Sequence, residues 1–369
     1  MTRTLTSPAP YEAEDAATPV KAPGGLPWTV LRLHRWALWL WIAYVCLASG
    51  VLLWAWGPAV GELRPLAASC ELGGAVQPAC ARGVYAALGN YQEFMDLGFF
   101  AILGAPLLVG GWAAAALTAR ETETGTAGLA WTQSVSPARW LTTKLALPAV
   151  AVTAGMALLL ALYRLAYLEG VELFIEIRKW TPSWWNENLL TAMGVVMLPR
   201  VLCAVAVGVL LGLLLKRTLA SLGTGLLLIA ASTFAVTVGR HAFWPTLVRH
   251  GRERTGESPY LSHTGSEWQI STGAVTQSGE MTGEAGERAG YGCMEAGYRE
   301  SHRGFDTDAF YACLKDKGYT DVWIAYHPKS HYWPLQLVES GVWLAVAALA
   351  VFLSYRLLRN RTAVGRGAA

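Results

Sequence analysis

Charge is scarce in this chain. Asp, Glu, Lys and Arg together supply 15% of its 369 residues, while hydrophobic residues supply 53%; soluble domains carry about a quarter charged residues. The net charge is only +3, so no strong basic field suggests a nucleic acid or another polyanion as partner. Also missing is any G-x-x-x-x-G-K-[ST] stretch. Without it the chain has no nest of backbone N–H groups, with its Lys and hydroxyl, to hold nucleotide phosphates and Mg²⁺. H-E-x-x-H and Cys/His ligand spacings are missing too, although six of the seven histidines fall in residues 239–332; a metal site is not expected. The apolar runs are nearly bare of acids, bases and nucleophiles, which argues against a membrane enzyme. No residue is expected to be catalytic.

What the chain has is apolar length. About 20 residues cross the hydrocarbon as a helix, and six runs approach or pass that length: Trp36 to Trp56, Met95 to Thr118, Leu145 to Tyr163, Leu190 to Leu215, Leu219 to Val238 and Leu335 to Leu358. Before the sixth, Tyr332 and Trp333 suit the interfacial aromatic belt and Pro334 suits a first helical position. The first run follows a polar tail and is too long for a signal peptide core, so it reads as a retained span. The expected fold class is therefore an all-α polytopic membrane protein.

Orientation follows from basic residues in short loops. Arg32 and Arg35, then Arg120, Arg139 and Lys144, then Lys216 and Arg217, then Arg356, Arg359, Arg361 and Arg366 all fall on one side of a six-span arrangement. That side is read as the cytoplasm, with both termini inside a plasma membrane protein; Arg164, Arg178 and Lys179 dissent and are outnumbered. Cys70 and Cys80 share the first outer loop, and Cys293 and Cys313 share the last. Two disulfides local to those loops fit an oxidising outer side, although four cysteines allow three pairings.

Residues 1–27 are rich in Pro and Ala, with no apolar period, and read as a disordered cytoplasmic tail. Spans one to five occupy 28–238, the sixth 333–358, and 359–369 form a second cytoplasmic tail. The loop 239–332 is long enough for a small α+β extracellular domain between spans five and six: SEWQISTGAVTQSGEMTG has a hairpin-like alternation around Gly273, and CMEAGYRE and DTDAFYACLKDKG look helical.

Between spans two and three lies ARETETGTAGLAWTQSVSPARWLTTK, residues 119–144, longer than a plain turn requires. Thr126 can cap a short helix through Ala127, Leu129, Ala130 and Trp131, and Ser136 with Pro137 marks a second helix start running through Arg139 and Trp140. A short helix across the membrane face is either a docking knob or a segment resting on lipid headgroups. The stretch Glu123-Thr-Gly125-Thr126, followed by TQSVSPARWLTTK, resembles the pattern between the second and third spans of ABC-2 type transporter permeases. GVLLGLLLKRTLASLGTGLLL and YHPKSHYWPLQLVESG resemble a branch of such permeases in high-GC Gram-positive bacteria.

The resemblance implies a permease subunit, an exporter, whose segment 119–144 is the coupling segment of a cytoplasmic ABC ATPase. Glu121, Glu123, Gly125, Thr126, Trp131 and Arg139 inherit that coupling role. ATP and Mg²⁺ would belong to the ATPase, with no cofactor on this chain, and a second copy or a related permease would complete the membrane unit in contact with lipid. The competing reading is a membrane receptor or sensor that binds a ligand with its extracellular domain; the short inner loops leave it no output module.

Charges near the spans mark a possible path or outer gate. Arg200 follows Pro199 near the outer boundary, where snorkelling to the surface and lining a path are both open, the former favoured. Gln336 and Glu339 share one face at the outer end of span six, as gate or substrate contact, or with Glu339 stabilised by the helix dipole. Asp96 is read as interfacial. Gly208 and Gly212 form a GxxxG that serves either packing within the chain or a dimer interface.

Overall fold

The computed structural model describes residues 26–69, 78–128, 135–178, 182–251, 260, 267–298 and 305–367. Six helices in them are long and apolar enough to cross a membrane. The fold is a polytopic helical membrane protein with a small α+β domain inserted between the fifth and sixth spans. The stretches 1–25, 70–77 and 129–134, on which the tail, the Cys70 to Cys80 bridge and Trp131 depend, lie outside the described residues.

A short amphipathic helix α1 (Leu26–Leu33) leads into α2 (Arg35–Trp54), which continues through a π-helical turn, Ala55–Ala59, to Ser69. Helix α3 (Pro78–Trp112) also passes through a π segment, Ala113–Ala119, and ends at Glu123. Helix α4 (Pro137–Arg178) forms span three. Spans four, five and six are α6 (Met197–Leu215), α7 (Thr218–Gly239) and α10 (Tyr332–Gly367), with a short α5 (Glu187–Ala192) before the fourth.

Two differences from the sequence reading matter. First, α3 and α4 are about 50–65 Å long at 1.5 Å per residue, twice the ~30 Å hydrocarbon. Apolarity marks only part of each helix; the ends nearest the β-sheet carry Arg82, Glu93 and Asp96 on α3 and Arg164, Glu169, Glu172 and Glu176 on α4. There Arg64 of span one pairs with Glu169 at 2.5 Å with both side chains substantially exposed.

Second, the run Leu190 to Leu215 is broken. Asn186 caps α5 by accepting the Asn188 N–H at 3.0 Å, and the chain bends over Met193–Val196 before α6 starts. Gly194 sits at the bend because the Gln336 side chain of α10 fills the space; a Cβ there would lie 2.1 Å from Gln336 Oε1. Gln336 Nε2 donates to the Leu190 carbonyl at 2.5 Å, taking a backbone acceptor the broken helix leaves exposed.

Helix α6 is the hub, touching spans two, three, five and six. Its GxxxG packs inside the chain. A Cβ on Gly208 would meet the Gly110 carbonyl at 2.8 Å, and one on Gly212 the Ala114 carbonyl at 2.6 Å, so α3 and α6 run backbone against backbone. Thr118 Oγ1 donates to the Val209 carbonyl at 3.0 Å across this seam. The π segment lies on it, where its wider turn keeps Ala113, Ala114, Leu117 and Thr118 buried.

The inserted domain is a four-stranded antiparallel sheet in the order β1 (Leu247–His250), β4 (Tyr319–Pro328), β2 (Glu267–Thr276), β3 (Met281–Thr282). The hairpin turns at Gly279, which has φ +85°, and not at Gly273, which sits within β2. Gly273 is required there because a Cβ would fall 2.0 Å from the Thr282 carbonyl. Helices α8 (Glu284–Tyr298) and α9 (Thr307–Asp316) cover the sheet and are joined by the Cys293–Cys313 disulfide, with Cα atoms 5.7 Å apart. An aromatic layer of Trp184, Trp268 and Tyr332 holds the sheet against the bundle.

Gly212→Val is expected to destabilise the folded chain by about 1–3 kcal/mol through overpacking. The substitution Gly223→Ala, into open space, serves as control. Thermal unfolding in detergent measures both, and equal midpoints would disprove the tight α3–α6 seam.

Candidate functional site

Two clusters of polar side chains stand at opposite ends of the spans. At the end away from the sheet, the segment after α3 is locked to its neighbours. Lys144 is 1% exposed; its Nζ donates to Glu121 Oε1 at 2.5 Å and sits 5.2 Å from the Trp140 ring centroid. Trp140 Nε1 donates to Glu121 Oε2 at 3.2 Å, so both carboxylate oxygens are satisfied by α4. Lys144 also lies 3.5 Å from His34 Nε2, where α1 meets α2.

Glu123 reaches the opposite way. Its Oε2 accepts the backbone N–H of Thr218 at 2.9 Å and the Thr218 hydroxyl at 2.5 Å, so a side chain from span two caps the start of span five. Lys216, in the left-handed region at φ 53°, and the extended Arg217 make the sharp turn that brings Thr218 there. Gly125, with φ +73°, turns the chain after Glu123. Thr124 and Thr126 hydroxyls pair at 3.0 Å, and Thr126 to Gly128 are helical. Ser136 Oγ accepts the Arg139 N–H at 3.3 Å, as expected for a cap at Pro137. Glu123, Gly125, Thr126 and Arg139 are exposed and Glu121 is half-buried.

At the sheet end, Arg200, Arg240 and Glu339 are all within 1% of full burial. Glu339 Oε1 accepts from Arg200 Nη2 at 2.6 Å, and its Oε2 accepts from Arg240 Nε at 2.8 Å. Arg240 Nη1 continues to Glu187 at 2.9 Å, and Thr191 donates to Glu187 at 2.8 Å. The Arg200 guanidinium lies 5.2 Å from the Trp343 ring centroid. One carboxylate thus joins spans four, five and six and the short helix α5. Arg200 does not snorkel: Glu339 stands opposite it and holds it inside.

Compared with protein families, residues 28–241, more than half of the chain, match the family described as ABC-2 membrane transporter related. The chain belongs to that family. No curated protein and no solved structure matches. The matched region holds spans one to five and both arms of the segment lock; the sheet domain and span six lie beyond it. This ABC-2 chain is therefore a transporter permease, a multi-pass membrane subunit.

Sequence reasoning placed Arg200, Gln336 and Glu339 at one boundary, and in the permease all three are buried there, Gln336 beside rather than within the ion cluster. It missed Arg240 and Glu187. Their signal was position: each begins or ends an apolar run at the same level as Arg200. It also counted Lys144 as a loop charge; the available hint was Glu121, 23 residues upstream across a hairpin.

Glu339→Gln leaves two buried guanidinium groups without their shared anion and is expected to cost the permease about 3–5 kcal/mol. Glu187→Gln, whose side chain is 39% exposed, should cost far less. Denaturation in mild detergent ranks the two, and equal losses would contradict the central place of Glu339.

Proposed function

We propose that this permease is the membrane half of an ABC exporter and that a separate cytoplasmic ATPase, holding ATP and Mg²⁺, docks on segment 119–144. Both termini lie in the cytoplasm, and a second copy or a related permease completes the translocation unit.

The observation that carries this reading is the double lock of the segment. Glu121 ties it to α4 through Lys144 and Trp140, and Glu123 ties it to α7 through Thr218. A push on the segment therefore reaches spans two, three and five together, which is what coupling requires. Loose attachment would dissipate the push in the loop. The exposed Gly125, Thr126 and Arg139 are the docking face, and Glu121 and Glu123 transmit rather than touch the ATPase. The buried Arg200, Glu339 and Arg240 cluster, with Gln336, is the outer gate: closing it needs every one of these pairs, and tilting the spans separates them.

Thr126 and Arg139 give a test because both side chains are exposed. Thr126→Arg with Arg139→Glu should leave the chain folded but lower co-purification of a Walker-motif ATPase and its permease-stimulated hydrolysis by about tenfold, a loss of ~1.4 kcal/mol of docking energy. Unchanged binding and stimulated hydrolysis would remove the coupling assignment.

A further inference from the structure

Beyond the two charge clusters, a cavity of about 220 Å³ opens between α3, α4 and the chain leading into α5. Tyr91 and Met95, and beside them Gln92 and Asp96, stand one turn apart on α3; Tyr163, Tyr167, Val171 and Phe174 face them from α4. Asn186, Asn188 and Leu189 close the third side. From the pairing of α3 with α6 at Gly208 and Gly212, Asp96 lies about 12 Å further toward the sheet than Arg200. The cavity is thus outside the buried gate.

Its walls are built rather than accidental. Gly170 leaves the space into which the Tyr91 ring fits; a Cβ there would lie 2.3 Å from the ring. The Tyr91 hydroxyl donates to the Ala166 carbonyl at 3.1 Å, which fixes the ring against α4. Tyr91 and Tyr163 are buried, and Tyr167 and Phe174 are half-buried. Asp96 supplies the charge: its Oδ1 accepts from the Asn188 amide at 2.9 Å, and among the described residues no lysine or arginine pairs with it.

We propose that this cavity binds an organic ammonium group, with Asp96 as its counter-charge and Tyr91, Tyr163, Tyr167 and Phe174 as its aromatic walls. Ring faces attract a cation through their quadrupoles and require no dehydration of a second anion, which is how aromatic cages recognise quaternary ammonium. The other ligand classes fit less well. An anion would meet Asp96 without a balancing base, a neutral apolar group would leave the Asp96 charge without a counter-charge, and a metal ion finds no group of three His, Cys, Asp or Glu among the described residues. The volume, below the ~300–1,000 Å³ of drug-sized pockets, suits a headgroup rather than a whole amphiphile.

The test is calorimetric titration of the full chain in detergent, without any ATPase, so it is decided separately from the coupling reading. Choline should bind, and its uncharged carbon isostere 3,3-dimethylbutan-1-ol should bind at least about tenfold more weakly. Asp96→Asn and Tyr167→Leu should each weaken choline by about tenfold, whereas Tyr167→Phe, which keeps the ring, should not. If Asp96→Asn fails to fold, the Tyr167 pair decides. Repeating the titration in phosphatidylcholine and phosphatidylglycerol nanodiscs separates the sources: choline binding lost only in the former assigns a lipid headgroup, and binding retained in both assigns a free cation. Equal affinity for choline and its isostere, no binding of choline, or equal effects of Tyr167→Leu and Tyr167→Phe would overturn the assignment.

Discussion

Glu339 is the anion around which the sheet-side half of the bundle is arranged. A carboxylate buried in span six is tolerated because two guanidinium groups, from the start of span four and the end of span five, each give it a direct hydrogen bond. The geometry then has consequences for the chain around it. Arg200 lies within the bundle, the fourth apolar run breaks before it, and Glu187 at the start of α5 pairs with Arg240. Gln336, one turn before Glu339 on α10, takes the carbonyl freed by the break. Beside Arg240, the His241 carbonyl faces His327 at 2.9 Å, which links the sheet domain to the same corner.

The opposite end is held by a smaller version of the same device. Lys144 is buried with a single carboxylate partner, Glu121, and the Trp140 ring, while Glu123 serves as an external cap for span five. Between the two ends, α3 and α6 touch through glycine and alanine with almost no side chain between them. Such a seam is stiff, since close backbone packing leaves no long side chains to change rotamer. On the proposed coupling reading, a displacement of the segment at one end is carried along α3 and α6 toward Arg200.

Much of the fold was legible in the sequence because hydrocarbon imposes a length and a composition that no other environment does. All six spans, the cap at Ser136, the Cys293 and Cys313 pairing and the helices around those cysteines follow from local rules of that kind. What was not legible depends on partners distant in sequence. Arg200 and Glu339 are 139 residues apart, so snorkelling was the cheapest reading for an arginine considered alone. The helical extensions toward the sheet carry charges that hide them from an apolar count, and the π segment Ala113–Ala119 lies where α6 packs on α3. Glu121 and Glu123 look alike in sequence; only their hydrogen bonds tell them apart, one tied to α4 and the other to the start of α7.

Movement of the two ends together is open to direct measurement. Hydrogen exchange of the permease bound to its ATPase, with and without Mg-ATP, measures this at both ends at once. If the two ends are coupled, nucleotide changes exchange in the segment after α3 and, in the same complexes, raises it around Glu187, Arg200 and Glu339. A change confined to the segment, with the Arg200 and Glu339 region unaltered, would contradict that coupling.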